Sequence, residues 1–322
     1  MMAEPYLTQL TARLLDGVER LPAELRERHA KYLLASQNPD GGFSGREGGS
    51  DLYYTSFALR SLAVLQSLDP AVCTRAGDFL RMKMTGSAGV VDFFALVVCC
   101  YLVPIGGGPD VLGEAPADWR DRVAAALETF RSPDGGYGKT PAALYGSTYT
   151  SFLVALCLEL LDKPIPDAER LKAFVLSRRR PDGGIVEISA MKRSGTNPTA
   201  AGIGLLQILG ACDDEVTRAA STFLAALPSP LEGGLRANDR IPAADLLSTF
   251  TGSWTLDQLG EPNRLDWDAM RGFAESCERP HGGFRGGLWD SDTDVEYTFY
   301  GLGTLALAEL VGGDSRSAPP RG

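Results

Sequence analysis

Apolar residues along this chain of 322 residues fall into two kinds of helical stretch that alternate from one end to the other. Stretches of the first kind, roughly 22–36, 70–83, 118–131, 167–179, 214–226 and 266–277, carry one apolar and one polar face. Several of them open on Pro or Asp, which suit a helix N-terminus. Stretches of the second kind, 52–66, 92–103, 148–161, 199–209, 245–259 and 295–310, are apolar almost all round with small residues interspersed, as in TAAGIGLLQIL. A helix with a polar face belongs at a surface, whereas one without must be buried on every side. The pattern predicts an outer layer of first helices around an inner layer of second helices, within one domain over residues 20–311. Residues 1–19 read as an N-terminal extension outside the pattern, and the Gly/Ser/Pro-rich segment 312–322 as a disordered tail.

A turn joins the two helices of each pair. It reads Pro39-Asp40-Gly41-Gly42-Phe43, Pro133-Asp134-Gly135-Gly136-Tyr137, Pro181-Asp182-Gly183-Gly184-Ile185, Gly233-Gly234-Leu235 and Pro280-His281-Gly282-Gly283-Phe284. The first glycines stand at 41, 135, 183, 233 and 282, so the spacings are 94, 48, 50 and 49 residues. The long interval is a double one, with a decayed copy near Gly86 to Gly89, and the repeats number six. Proline sets φ, the glycines tolerate positive φ, and the large residue that follows is expected to plug between neighbouring repeats.

Six hairpins in an open stack would leave two uncovered ends, and neither terminal repeat is polar enough to cap one. Closing the stack removes both ends, so the expected fold is all-α, an (α/α)6 toroid with the second helices inside. The inner helices of such a ring run parallel, and their N-termini converge with partial positive charge on one mouth of a central cavity. A cavity of this kind suits a long hydrocarbon bearing a diphosphate.

Composition narrows the reading. With 44% hydrophobic and 22% charged residues the chain can bury a large core, and a net charge of -10 argues against a nucleic-acid groove. The run Arg178-Arg179-Arg180 reads as a solvated helix end. The six cysteines are scattered in apolar surroundings with no CxxC pair, the pattern of reduced buried thiols in a cytoplasmic protein. No signal-peptide pattern is visible, and the longest apolar run, Phe93 to Val103, is too short to span a bilayer.

On its Gly-Gly-aromatic repeats the chain resembles the protein prenyltransferase β-subunit and terpenoid cyclase superfamily, over about residues 20–311 and with the length of a geranylgeranyl-type β subunit. The resemblance implies an isoprenoid diphosphate ligand, a helical α-subunit-like partner and a catalytic zinc. The zinc would be held by an Asp-x-Cys pair opening the fifth inner helix and a His in Asp-x-x-His-Thr opening the sixth. Here Asp245 matches the Asp, Leu247 stands where the Cys would be, and Asp294-Val295-Glu296-Tyr297-Thr298 has Tyr297 in place of the His. Leu offers no donor and an unactivated Tyr is a poor one, so zinc is not expected. The matching positions make Asp245, Asp294 and Tyr297 the candidate catalytic residues, and Arg236 and Arg240 the candidate diphosphate-binding residues.

Asp245, Asp292, Asp294 and Glu296 would supply hard oxygen ligands better suited to Mg²⁺, against the plainer reading that such acids cap a helix. The function expected is an isoprenoid-diphosphate-binding, prenyltransferase-like protein without the zinc. One alternative is a class II terpene cyclase, in which Asp292-Thr293-Asp294-Val295 retains two of the three acids of an Asp-x-Asp-Asp motif and a protonated Asp294 would deliver a proton to an alkene. Another is a non-catalytic lipid-binding or protein-interaction toroid.

Overall fold

A computed structural model of the protein describes residues 4–84 and 88–317. After an N-terminal helix α1 (Tyr6–Arg20), six outer helices alternate with six inner ones. The outer helices are α2 (Ala23–Ala35), α4 (Pro70–Lys83), α6 (Trp119–Glu128), α8 (Ala168–Ser177), α10 (Asp214–Ala225) and α12 (Trp267–Cys277). The inner helices are α3 (Leu52–Val64), α5 (Val90–Ile105), α7 (Thr148–Leu160), α9 (Thr196–Ile208), α11 (Leu246–Gln258) and α13 (Val295–Ser317). Each inner helix packs on the next, and α13 packs on α3, so the inner ring is closed. The architecture is the all-α toroid expected. Among the described residues strand is confined to a two-residue antiparallel pair, β1 (Phe284–Arg285) with β2 (Thr293–Asp294), plus isolated bridges at the equivalent place in other repeats.

Two devices recur from repeat to repeat. The first glycine of each turn takes positive φ and lies against the next outer helix. At Gly183, with φ +91°, a Cβ would come within 2.4 Å of the Ala219 carbonyl oxygen on α10. The residue after the glycines plugs the hairpin and donates its backbone N–H to a hydroxyl one turn into the inner helix. Phe43 bonds Thr55 at 3.0 Å, Tyr137 bonds Ser151 at 2.9 Å, Ile185 bonds Thr199 at 2.9 Å and Leu235 bonds Thr249 at 2.9 Å. The plugs Phe43, Tyr137 and Phe284 are fully buried.

Several boundaries differ from the sequence expectation for local reasons. α9 begins at Thr196 rather than Thr199 because Pro198 falls in the first turn, where its missing N–H costs nothing. α5 begins at Val90 rather than Asp92, since the Asp92 carboxylate reaches back to accept the Gly89 N–H at 2.9 Å. Part of the decayed turn, residues 85–87, lies outside the described residues. α13 runs on to Ser317 through the first half of the segment expected as a tail, and residues 318–322 lie outside the described residues.

The arginine run at 178–180 is not the solvated helix end expected. Arg178 is 4% exposed, ion-paired with Asp134 and stacked 4.3 Å from the Phe174 ring. Arg179 pairs with Glu215, and Arg180 donates to the carbonyls of Ser189 and Met191.

The N-terminal extension lies outside the ring of hairpins but is part of the core. Tyr6, Leu10, Leu14 and Val18 form a buried stripe at helical spacing. Its ties run to the last turns of inner helices: the Tyr6 N–H donates to Glu159 on α7, and Arg13 makes a paired contact of 2.9 and 3.0 Å with Asp257 on α11. α1 therefore closes the C-terminal end of the inner ring; among the described residues no helix closes the opposite end in the same way.

Candidate functional site

The inner helices enclose a cavity of about 450 Å³ within the range of small-molecule sites. Its wall is built in three layers that follow the helical period. The second residues of five inner helices form the mouth: Tyr53, Val91, Tyr149, Asn197 and Leu247. One turn deeper stand Phe57, Phe94, Phe152, Phe250, Phe299 and Tyr300. Ninth positions supply the third layer, Arg60 on α3, Leu156 on α7 and Trp254 on α11, over a floor of Tyr6, Leu7 and Leu10 from α1. Small residues shape it, since Ala200 and Ala201 on α9 leave room where other helices carry rings. Tyr6 locks the floor by accepting from Trp254 Nε1 at 2.9 Å and standing edge-on to Phe152.

The acidic residues of the sixth repeat are brought near the mouth but serve other groups. Arg46, from the loop of the first repeat, donates Nε to Asp294 at 2.9 Å and both Nη atoms to Asp290 at 2.8 and 2.6 Å. Its guanidinium stacks 5.4 Å from the Tyr297 ring. Burial pushes the Asp290 carboxyl up, but the Arg46 hydrogen bond and the N–H groups of Gly286 and Asp292 outweigh it and its pKa falls below the usual value. For Asp294 burial wins over the Tyr297 N–H and Arg46, and the pKa is raised. Glu296 is raised by burial as well and accepts from the Tyr53 and Tyr300 hydroxyls at 2.6 and 3.3 Å.

The expected Mg²⁺ set of Asp245, Asp292, Asp294 and Glu296 is not assembled. Asp292 is exposed, Asp294 is held by Arg46, and Asp245 caps α11 through the Ser248 N–H and hydroxyl at 2.7 and 2.8 Å. Among the described residues no three His, Cys, Asp or Glu side chains converge as a metal site. The family's zinc is also a poor fit to what stands here. Leu247 faces the cavity with no donor, and the Tyr297 phenol is pushed up to about 12 by burial and by Glu296, so it stays neutral.

For the proton-donor role considered for Asp294 the two influences run in opposite directions: burial raises its pKa, while Arg46 and the Tyr297 N–H, which its oxygens face, favour the carboxylate. The diphosphate role expected of Arg236 and Arg240 also does not match their positions. Arg236 is engaged with the carbonyls of Leu227 and Ala226 beyond α10, Arg240 is exposed on a loop, and neither lines the cavity. The charged residues that do line it are Arg60 in depth, with Lys139 and Glu187 near the mouth. Arg60 was legible as the one charge in LYYTSFALRSLAV, an otherwise uncharged helix.

No curated protein sequence matches this chain. Among solved structures it is similar to protein geranylgeranyltransferase-I of Candida albicans complexed with GGPP, with a TM-score of 0.71 at 14% identity over 89% of this chain and 92% of that one. A variant of the type II terpene cyclase MstE from Scytonema, in complex with geranylgeranyl dihydroxybenzoate, gives a TM-score of 0.59 at 15% identity over 94% and 99%. An α-1,6-mannanase of Salegentibacter gives 0.59 at 14% over 89% and 98%, so the toroid alone does not select a chemistry. The family profile described as prenyltransferase alpha-alpha toroid domain matches residues 5–90 and 95–310. The chain belongs to that family.

Proposed function

We propose that this protein binds an isoprenoid substrate with its hydrocarbon chain inside the central cavity, in the manner of a prenyltransferase-type toroid that works without the family zinc. The observation that carries the reading is the cavity: blind at α1, open at the inner-helix N-termini, and walled by aromatic rings in successive layers. Aromatic faces pack against an unsaturated chain and stabilise positive charge developing on it, so the same wall that binds an allylic group also favours its ionisation. The ligands of the two toroids named above, GGPP and geranylgeranyl dihydroxybenzoate, share the isoprenoid chain and differ in the head, which supports the chain as the recognised part.

Geranylgeranyl compounds with different headgroups are expected to raise the melting temperature and to change the fluorescence of Trp254. Leu247→Trp, which fills the mouth, is expected to remove both effects, while Arg240→Ala leaves them unchanged. The reading fails if no geranylgeranyl or farnesyl compound of any headgroup shifts melting.

A further inference from the structure

Arg60 is the feature of the cavity that a hydrocarbon chain leaves unexplained. It stands in the third layer, over the α1 floor, and burial lowers its pKa. Its guanidinium lies 4.2 Å from the Phe299 ring centroid and 5.7 Å from that of Phe57. These are its attractive contacts: among the described residues none accepts a hydrogen bond from it and no carboxylate pairs with it, in contrast to Arg46 or Arg178. Ring contacts offset part of the cost of desolvating a cation but satisfy none of the five N–H donors.

Water can serve those donors while the cavity is empty. A hydrocarbon end packed against Arg60 would displace that water and leave the donors unserved, a cost that offsets much of what the chain contact gains. The ligand must therefore bring an acceptor to this depth. A single cation calls for a single negative charge: at this depth Arg60 stands without a second cation, the other charged lining residues, Lys139 and Glu187, lying near the mouth, and this disfavours a multiply charged group there. A planar two-oxygen anion fits the guanidinium fork. We propose that Arg60 binds a carboxylate at the buried end of the ligand, so that the substrate is an isoprenoid acid seated head-down with its chain running toward the mouth. The proposal rests on the isoprenoid-binding reading of the cavity, not on ionisation of an allylic leaving group, and adds the headgroup and the direction.

Titration of geranylgeranoic acid, geranylgeraniol and geranylgeranyl diphosphate against wild type, Arg60→Met and Arg60→Lys tests it. Wild type should bind the acid about tenfold to a hundredfold more tightly than the alcohol, the range expected of a charge-assisted pair. Arg60→Met should lose that preference while still binding the alcohol, which also shows that the variant is folded, and Arg60→Lys should keep part of it. Without ligand, Arg60→Met should melt close to wild type, because among the described residues no acceptor or carboxylate is left without its partner when the guanidinium is removed. Equal binding of acid and alcohol by wild type, an acid preference that survives Arg60→Met, or an Arg60-dependent preference for the diphosphate would each overturn the proposal. If all three bind alike, the headgroup assignment falls and the isoprenoid reading stands; if none binds, both fall.

Discussion

Arg46 illustrates how one side chain joins the first and last repeats. It satisfies Asp290 and Asp294, which are 8% and 6% exposed, across 244 and 248 residues of chain. Arg46→Met would leave two buried carboxylates without a counter-charge. Because Arg46 itself is 30% exposed and partly screened, we expect a loss of about 2–3 kcal/mol rather than the larger cost of a fully buried pair, measured by urea unfolding. The pH dependence follows from the direction of each shift. Asp290 has a depressed folded pKa, so its contribution is full above the unfolded value near 4 and is lost as pH falls through the folded pKa below it. Asp294 is shifted the other way, and its opposing contribution disappears as pH falls through its raised pKa. Asp290→Asn should therefore flatten the acid limb of the stability curve below about pH 4. An acid limb as steep as in wild type would contradict the assignment.

At the scale of the element, the hairpin is held by the bond from the residue after the Gly-Gly turn to a hydroxyl of the inner helix. Thr249 shows the device fully: its Oγ1 accepts the Leu235 N–H at 2.9 Å and donates to the Asp245 carbonyl at 2.7 Å. Thr249→Val keeps the shape but leaves the Leu235 N–H buried and unpaired, at a cost of about 1–3 kcal/mol. Thr249→Ser should recover most of it, since Ser151 fills the same place in the third repeat. Equal destabilisation by both would show that packing of the methyl group, not the bond, is what matters. The turns themselves were legible because Pro-Asp-Gly-Gly recurs; the bond was not, since Ser and Thr are common in helices and only the fold sets each opposite its donor.

At the scale of the molecule, ring closure and floor closure are separate events. The seam between sixth and first repeats is polar: beside Arg46, Glu278 pairs with Arg28 and accepts from His29, whose Nδ1 accepts the Gly283 N–H at 3.1 Å. The floor is apolar and depends on close approach of α1 to α13. A Cβ on Gly17 would fall 2.4 Å from the Ala306 carbonyl oxygen. Gly17→Ala should thus lower stability by about 1–3 kcal/mol despite the better helix propensity of Ala. It should also weaken isoprenoid binding, because Tyr6 forms the floor. Unchanged binding with lowered stability would separate the floor from the site. Among the described residues no helix is long and apolar enough to cross a membrane.

By itself, the sequence determined the hairpins, their number and their layering, because burial on all sides and burial on one side leave different marks on residue order. It also carried the argument for closure, since open ends would expose apolar faces. Tertiary structure alone decided what each charged side chain does. Asp245 and Asp294 sit where a site motif would put them, but capping and Arg46 occupy them; Arg236 turns to backbone carbonyls; the N-terminal stripe becomes a floor. A charge takes its role from partners hundreds of residues away and from the depth at which it lies. Arg60, visible in the chain only as a break in an apolar helix, owes its meaning to the cavity around it.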